Sequence, residues 1–142
     1  MQEQFVTYDT AVLLWEFGFD EPCQARFNKG KQFQHNTLGH WYKHNSDEIS
    51  VNYLAAPLYQ QVQEWFRTKY FMDISVKYEC SANEVINMYG NIEFMINKFQ
   101  QPDIKVESNE WLSHNDLLDI TIKEAFSHIK KHKEIYEKTN TN

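Results

Sequence analysis

Apolar and polar positions along this chain switch repeatedly between a helical and an alternating period. Tyr8, Ala11, Val12 and Trp15 recur at helical spacing and predict a helix over Tyr8–Phe17. Thr7 is its expected N-cap, and Asp9 suits the positive helix start. Gly18 stands where a left-handed residue closes such a helix. Phe19 then packs back, and Asp20-Glu21-Pro22 prevents continuation. Gln24–Phe27 and Gln32–His35 flank Asn28-Lys29-Gly30-Lys31, which reads as a hairpin. His35–Ile49 is polar and irregular, with a short strand at Trp41-Tyr42, and Ile49–Tyr53 alternates as an extended lead-in.

Pro57 fits the first turn of a second helix, Pro57–Lys69, with Leu58, Val62, Trp65 and Phe66 on its apolar face. Gln60, Gln61, Gln63 and Glu64 fall on its wet side. Met72, Ile74, Val76, Tyr78 and Cys80 alternate with Asp73, Ser75, Lys77 and Glu79, a clear strand. Ser81–Glu84 turns the chain, and Val85–Phe99 returns with Ile92, Phe94 and Ile96 facing one side. Gly90 marks a bulge in that return. Gln100–Leu112, broken by Pro102, reads as a loop. Ser113-His114-Asn115-Asp116 resembles a capping box. Leu118, Ile122, Ala125, Phe126 and Ile129 form the stripe of a last helix, and the polar tail from Lys130 should fray. The order predicts a single α+β domain over residues 1–138. An antiparallel β-sheet carries about three helices on one face, and 139–142 form a frayed end.

At 142 residues the chain suits one domain. An aromatic content of 15% rules out a disordered chain. The net charge of −6 argues against a protein that grips duplex nucleic acid through its phosphates. No basic and apolar leader follows Met1-Gln2-Glu3-Gln4-Phe5, so no secretory signal is expected. The apolar run Ala11–Trp15 is far short of the ~20 residues a membrane span needs. Cys23 and Cys80 make no disulfide framework and are expected as reduced structural thiols. Cys80 continues the apolar series and is expected inside, whereas Cys23, after Pro22, is open to solvent exposure.

Residues Phe5-Val6-Thr7-Tyr8, Gly18-Phe19-Asp20-Glu21-Pro22-Cys23, Ala56-Pro57-Leu58-Tyr59-Gln60-Gln61-Val62, Trp65-Phe66-Arg67 and Lys69-Tyr70 together show a resemblance. The chain resembles a set of small proteins of phages and prophages of gut bacteria, over roughly residues 5–80 and more weakly through the last helix. The blocks mark a family and name no chemistry. The resemblance implies a phage origin and a site of action in the cytoplasm of an infected bacterium. Gln100–Leu112 looks longer than the pattern calls for, and could carry a role peculiar to this chain.

Candidate chemistry is sparse. His40 with His44 and His128 with His132 have a spacing that suits zinc on a helix. No Cys completes either set, and Lys130, Lys131 and Lys133 repel a cation from the second. The other loop candidates, His35, Asp47 and Glu48, read as polar surface. No metal and no cofactor are expected. Gly18, Gly30, Gly39 and Gly90 are too scattered for a phosphate loop, and no nucleophile turn is present, so no catalytic residue is assigned. Lys29–Lys43 is locally basic and aromatic in an acidic chain. Lysines meet phosphates and rings stack on bases, so this segment suggests a site for a nucleotide-like anion. Lys31, Lys43 and Arg67 are its expected charges, and Trp41 and Tyr42 its stacking rings. Arg67 and Lys69 also suit the end of their helix without any ligand. Trp111 is read first as a cap over the sheet and second as an exposed anchor. The leading expectation is a non-enzymatic phage protein, a counter-defence factor that sequesters a host nucleotide signal at a site closed by a second copy. The alternative is a protein-binding inhibitor that docks on a host enzyme through an acidic, aromatic surface. A small hydrolase is the third class.

Overall fold

Three α-helices and six strands are present among residues 2–35, 53–95, 102–108, 110–133 and 136, which the computed structural model describes. Their contacts cluster into two compact units, Met1–Val62 and Gln63–Asn142. The α+β class and the antiparallel pairing agree with the pattern in the sequence. The strands, however, form two three-stranded sheets rather than one.

In the first unit a 3-10 turn, Gln2–Gln4, leads to helix α1, Tyr8–Glu16. The Thr7 hydroxyl oxygen accepts from the Thr10 amide at 3.4 Å, the expected N-cap, which contributes about 1 kcal/mol. At the other end Gly18 has φ 84°. Its amide donates to the Trp15 carbonyl at 3.1 Å, and the Phe19 amide reaches back to Leu14 at 2.8 Å. Phe19 is buried at this closure, as the sequence predicts, and Leu14, outside the predicted stripe, is buried too, whereas Trp15 is exposed. Strand β1 (Ala25–Asn28) lies between β2 (Phe33–His35) and β3 (Tyr53–Ala56), both antiparallel to it. Helix α1 packs on β3.

Asn28 organises the β1–β2 turn. Its side-chain oxygen accepts from the Gly30 and Gln32 amides at 2.9 and 3.0 Å. The left-handed position falls on Lys31, at φ 63°, and not on Gly30. The expected lead-in before Tyr53 and the short strand at Trp41-Tyr42 lie outside the described residues.

Helix α2 runs Tyr59–Tyr70, starting later than its proline suggested. The Pro57 carbonyl accepts from the Val6 amide at 3.0 Å, and Leu58 pairs with Phe5. That extended pairing holds 57–58 out of the helix. Val62, Trp65 and Phe66 are buried as expected. Two of the supposedly wet glutamines instead close backbone carbonyls. Gln61 Nε2 donates to Pro22 O at 2.9 Å, and Gln63 Nε2 donates to Ile74 O at 2.8 Å.

The second unit is built on β4 (Met72–Ser81) and β5 (Glu84–Phe94), joined by a tight turn with Ala82 and Asn83 at φ 48° and 72°. The register shifts between Glu79 and Cys80, leaving Ile86 as the extra residue on β5. The bulge expected at Gly90 is not there. Gly90 pairs regularly with Val76 and Val106. A Cβ at Gly90 would strike the Thr121 side chain, so the glycine marks a close approach of helix to sheet. The loop expected over Gln100–Leu112 holds a third strand, β6 (Ile104–Val106), too short to show a period.

Helix α3 runs His114–Lys131, and Ser113 Oγ accepts from the Asp116 amide at 3.1 Å. Leu118, Ile122, Ala125, Phe126 and Ile129 are all buried, as the stripe predicts. The helix lies across β4 and β5 and reaches β6. The chain does not simply fray after Lys130. Tyr136 is buried, with its ring centroid 5.8 Å from Tyr70 and 6.0 Å from His128. Among the described residues no helix is long and apolar enough to cross a membrane.

Candidate functional site

Of the residues expected to hold an anion, Lys31 and Arg67 are described, one in each unit. Lys31 lies in the first unit, exposed, with Nζ 5.1 Å from the centre of the Tyr8 ring. Arg67 lies in the second unit and is committed to carboxylates. It bonds Glu64 Oε2 at 2.9 Å and Asp73 Oδ1 at 3.1 Å. The Glu64 bond, and then the Asp73 bond, hold its guanidinium above the usual range. Trp41, Tyr42 and Lys43 lie outside the described residues, as do His40, His44, Asp47 and Glu48. Lys69 sits over Trp65, 5.0 Å from its ring centre, and burial lowers its pKa.

The aromatic residues of the first unit mostly pack on one another. Phe5, Phe33 and His35 have centroids 5.2–6.5 Å apart, and Tyr8 meets Phe27 edge-on at 5.4 Å. On strand β1 the Arg26 guanidinium lies 3.7 Å over the Tyr53 ring and also bonds Gln34 at 3.0 Å.

The two thiols reverse their expected places. Cys23 is fully buried, and its Sγ donates to the Glu21 carbonyl at 3.3 Å. Burial first, and the Glu21 charge second, push the thiol up to about 12, the opposite of what a thiolate nucleophile needs. Cys80 is exposed. Its alternation is genuine, but α3 does not cover that end of the strand.

His128 and His132 do lie together, with ring centroids 4.5 Å apart. Among the described residues, no group of three or more His, Cys, Asp or Glu is placed to hold a metal ion. His128 is buried against Phe94 and Tyr136, and its Nε2 has no partner among the described residues. Burial, then the charges of His132 and Lys131, lower its pKa. The unfolded chain therefore takes up a proton that the folded chain resists. Stability is full above about pH 6.5 and falls as pH drops below it, by at most about 1.4 kcal/mol per pH unit. Chemical denaturation of wild type and His128→Leu at pH 7.5 and 5.5 checks this, and the variant should lose most of the slope.

The outer half of the β4–β5 hairpin leaves apolar side chains exposed. Met72 and Ile74 are buried, but Tyr78, Val85 and Ile86 are exposed, Ile86 at 57%. The Tyr78 hydroxyl lies 2.9 Å from His114 Nδ1, so the first turn of α3 meets the hairpin there. Three residues before His114, Trp111 is 68% exposed. It is therefore exposed and not a cap over the sheet. Exposed acids stand close to these groups in the chain, Glu84 beside Val85, Glu110 beside Trp111 and Asp116 on α3, and exposed Lys77 stands beside Tyr78. Lys105 on β6 is held by Glu79 at 3.0 Å and Glu107 at 3.3 Å. Periodicity could not single out Tyr78 or Ile86, because the same alternation serves the covered and uncovered halves of the hairpin.

Comparison of the chain with protein-family models, with curated proteins and with solved structures gave no match. Function is therefore read from the chain's own side chains.

Proposed function

We propose that this is a non-enzymatic binding protein that docks on another protein through the outer half of the β4–β5 hairpin and Trp111. The observation that carries the reading is the set of exposed apolar side chains Tyr78, Val85, Ile86 and Trp111, with exposed acids Glu84, Glu110 and Asp116 close to them in the chain. Aromatic anchors desolvate well at the centre of an interface, and a charged rim selects the partner's sign. The partner surface should then be apolar with a basic rim. If the phage resemblance holds, the partner is a bacterial host protein in the cytoplasm and the outcome is inhibition of its activity.

The nucleotide reading keeps one supporting observation. In the first unit two cations, Arg26 and Lys31, each lie over an aromatic ring, on either side of the turn that leads toward Trp41, Tyr42 and Lys43. One experiment separates the readings. Wild-type protein and the variants Trp111→Ala and Ile86→Lys are presented to a bacterial lysate and to a panel of nucleotide signals. The docking reading expects a defined host protein retained by wild type and weakened at least about tenfold in either variant, with melting nearly unchanged. Recovery of an intact nucleotide after heat denaturation, unaffected by both variants, would move the function to the first unit. Conversion of the nucleotide would make the protein a hydrolase.

A further inference from the structure

Among the described residues the order β4-β5-β6 leaves the outer edge of β4 without a paired strand, and the Gln63 side chain closes its beginning. Gln63 Nε2 caps the Ile74 carbonyl at 2.8 Å. That bond shows Ile74 turning its carbonyl away from β5. By the two-residue period of a strand, Val76 and Tyr78 turn their amides and carbonyls to the same outer edge. The strand ends at Ser81, where Ala82-Asn83 turns away. Among the described residues no strand pairs with the outer edge from Val76 to Ser81. The extra residue of the bulge sits on β5, so β4 stays continuous through this stretch. An open strand edge is a template for pairing unless charge, proline or a cover blocks it.

The usable edge runs from Ser75, just past the Gln63 cap, to Ser81, and its midpoint is Tyr78. A two-fold antiparallel pairing that uses all of it is centred on Tyr78. Val76 then faces Cys80 of the second copy, and Lys77 faces its Glu79. This happens twice, at the positions between hydrogen-bonded pairs where side chains approach most closely. Shifting the pairing to a neighbouring allowed register sets Lys77 against Lys77, or Glu79 against Glu79, and like charges directly opposite destabilise a sheet. Geometry and charge thus select the same register independently. Lys77 is exposed and makes no ion pair with a described residue. Glu79 gives Oε1 to Lys105, which leaves Oε2 for Lys77 of the other copy.

We propose that two copies of this chain pair edge to edge through β4, two-fold about Tyr78, and join their three-stranded sheets into one continuous sheet. Trp111 and Ile86 lie outside the paired edge, so Trp111→Ala and Ile86→Lys should leave the pairing intact.

Sedimentation of wild type, Lys77→Glu, Glu79→Lys and an equimolar mixture of the two variants tests the proposal. Wild type is expected to be a dimer. Each variant alone brings like charges together and should lose dimer affinity by on the order of tenfold. The mixture should recover it as a heterodimer, because positions 77 and 79 again carry opposite charges across the edge. Val76→Pro removes an outward amide without breaking the β5 ladder and should give a monomer with nearly unchanged melting. It keeps the test open if a charge variant fails to fold. A monomeric wild type, dimers that survive all the substitutions, or a mixture no tighter than either variant alone would overturn the proposal.

Discussion

Trp65→Ala is expected to destabilise the protein by about 3–5 kcal/mol, the range for removing a buried tryptophan. Trp65 is 7% exposed, on the face of α2 that meets α3. Its ring lies 5.1 Å from Phe66, 5.4 Å from Tyr70 and 6.2 Å from Phe126. Phe66 and Phe126 are themselves in contact at 5.0 Å and fully buried, so neighbours cannot readily collapse into the gap. Lys69 would also lose the ring beneath its ammonium. Trp111→Ala is the matched control: at an exposed site the change should stay within about 0.5 kcal/mol. Equilibrium unfolding in urea compares the two. A Trp65→Ala protein as stable as the control would mean that α2 turns another face to this core.

The contrast between these tryptophans shows what the sequence could reveal. Trp65 belongs to a helical stripe with Val62 and Phe66, and a stripe says which side is buried whatever covers it. Trp111 belongs to no periodic element, and its exposure depends on how the chain approaches α3. Helix α3 was legible for the same reason as Trp65: its cap at Ser113 and its stripe from Leu118 to Ile129 are local signals. Alternation in β4 was legible too, but it reports only that one face differs from the other. Whether Val76, Tyr78 and Cys80 are covered is decided by where α3 begins, which lies outside the strand's own pattern. The expected burial of Cys80 failed on that point. Cys23 failed in reverse, since a loop residue after a proline carries no sign of the core that encloses it.

The expected anion site was legible only as composition. Arg67 showed its helix-end position, but Glu64 one turn earlier was read only as wet surface and is in fact its partner. The second carboxylate, Asp73, reaches it only because β4 begins immediately after α2 and doubles back beside it. A cation count along the chain cannot tell a free guanidinium from one already claimed twice. Short elements were lost for a different reason. Strand β6 has three residues, fewer than a period needs to declare itself, and it exists because β5 offers an edge at Gly90–Ile92.

Gly90→Ala should be among the most damaging single-methyl changes in the chain. The added carbon would lie 2.8 Å from Thr121 Cβ and 3.0 Å from its Cγ2, and would collide with Oγ1. Thr121 cannot swing aside cheaply. It is fully buried, and Oγ1 donates to the Leu117 carbonyl at 2.7 Å. Relief therefore requires α3 to lift from β5, loosening Ile122 and Phe126 with it. Overpacking of a tight core costs about 1–3 kcal/mol, and the rigid neighbours put this site at the upper end. Thr121→Ala in the same chain removes Oγ1 and Cγ2 but leaves Cβ in place, so it should restore only part of the loss. Gly30→Ala is the control, because the nearest atom there, Asn28 Oδ1, is at 3.4 Å and its cost should be about 0.5 kcal/mol or less. Urea unfolding of the four proteins measures the series. If Gly90→Ala unfolds at the wild-type midpoint, α3 does not sit on β5 at this distance, and the close approach assigned to Gly90 is wrong.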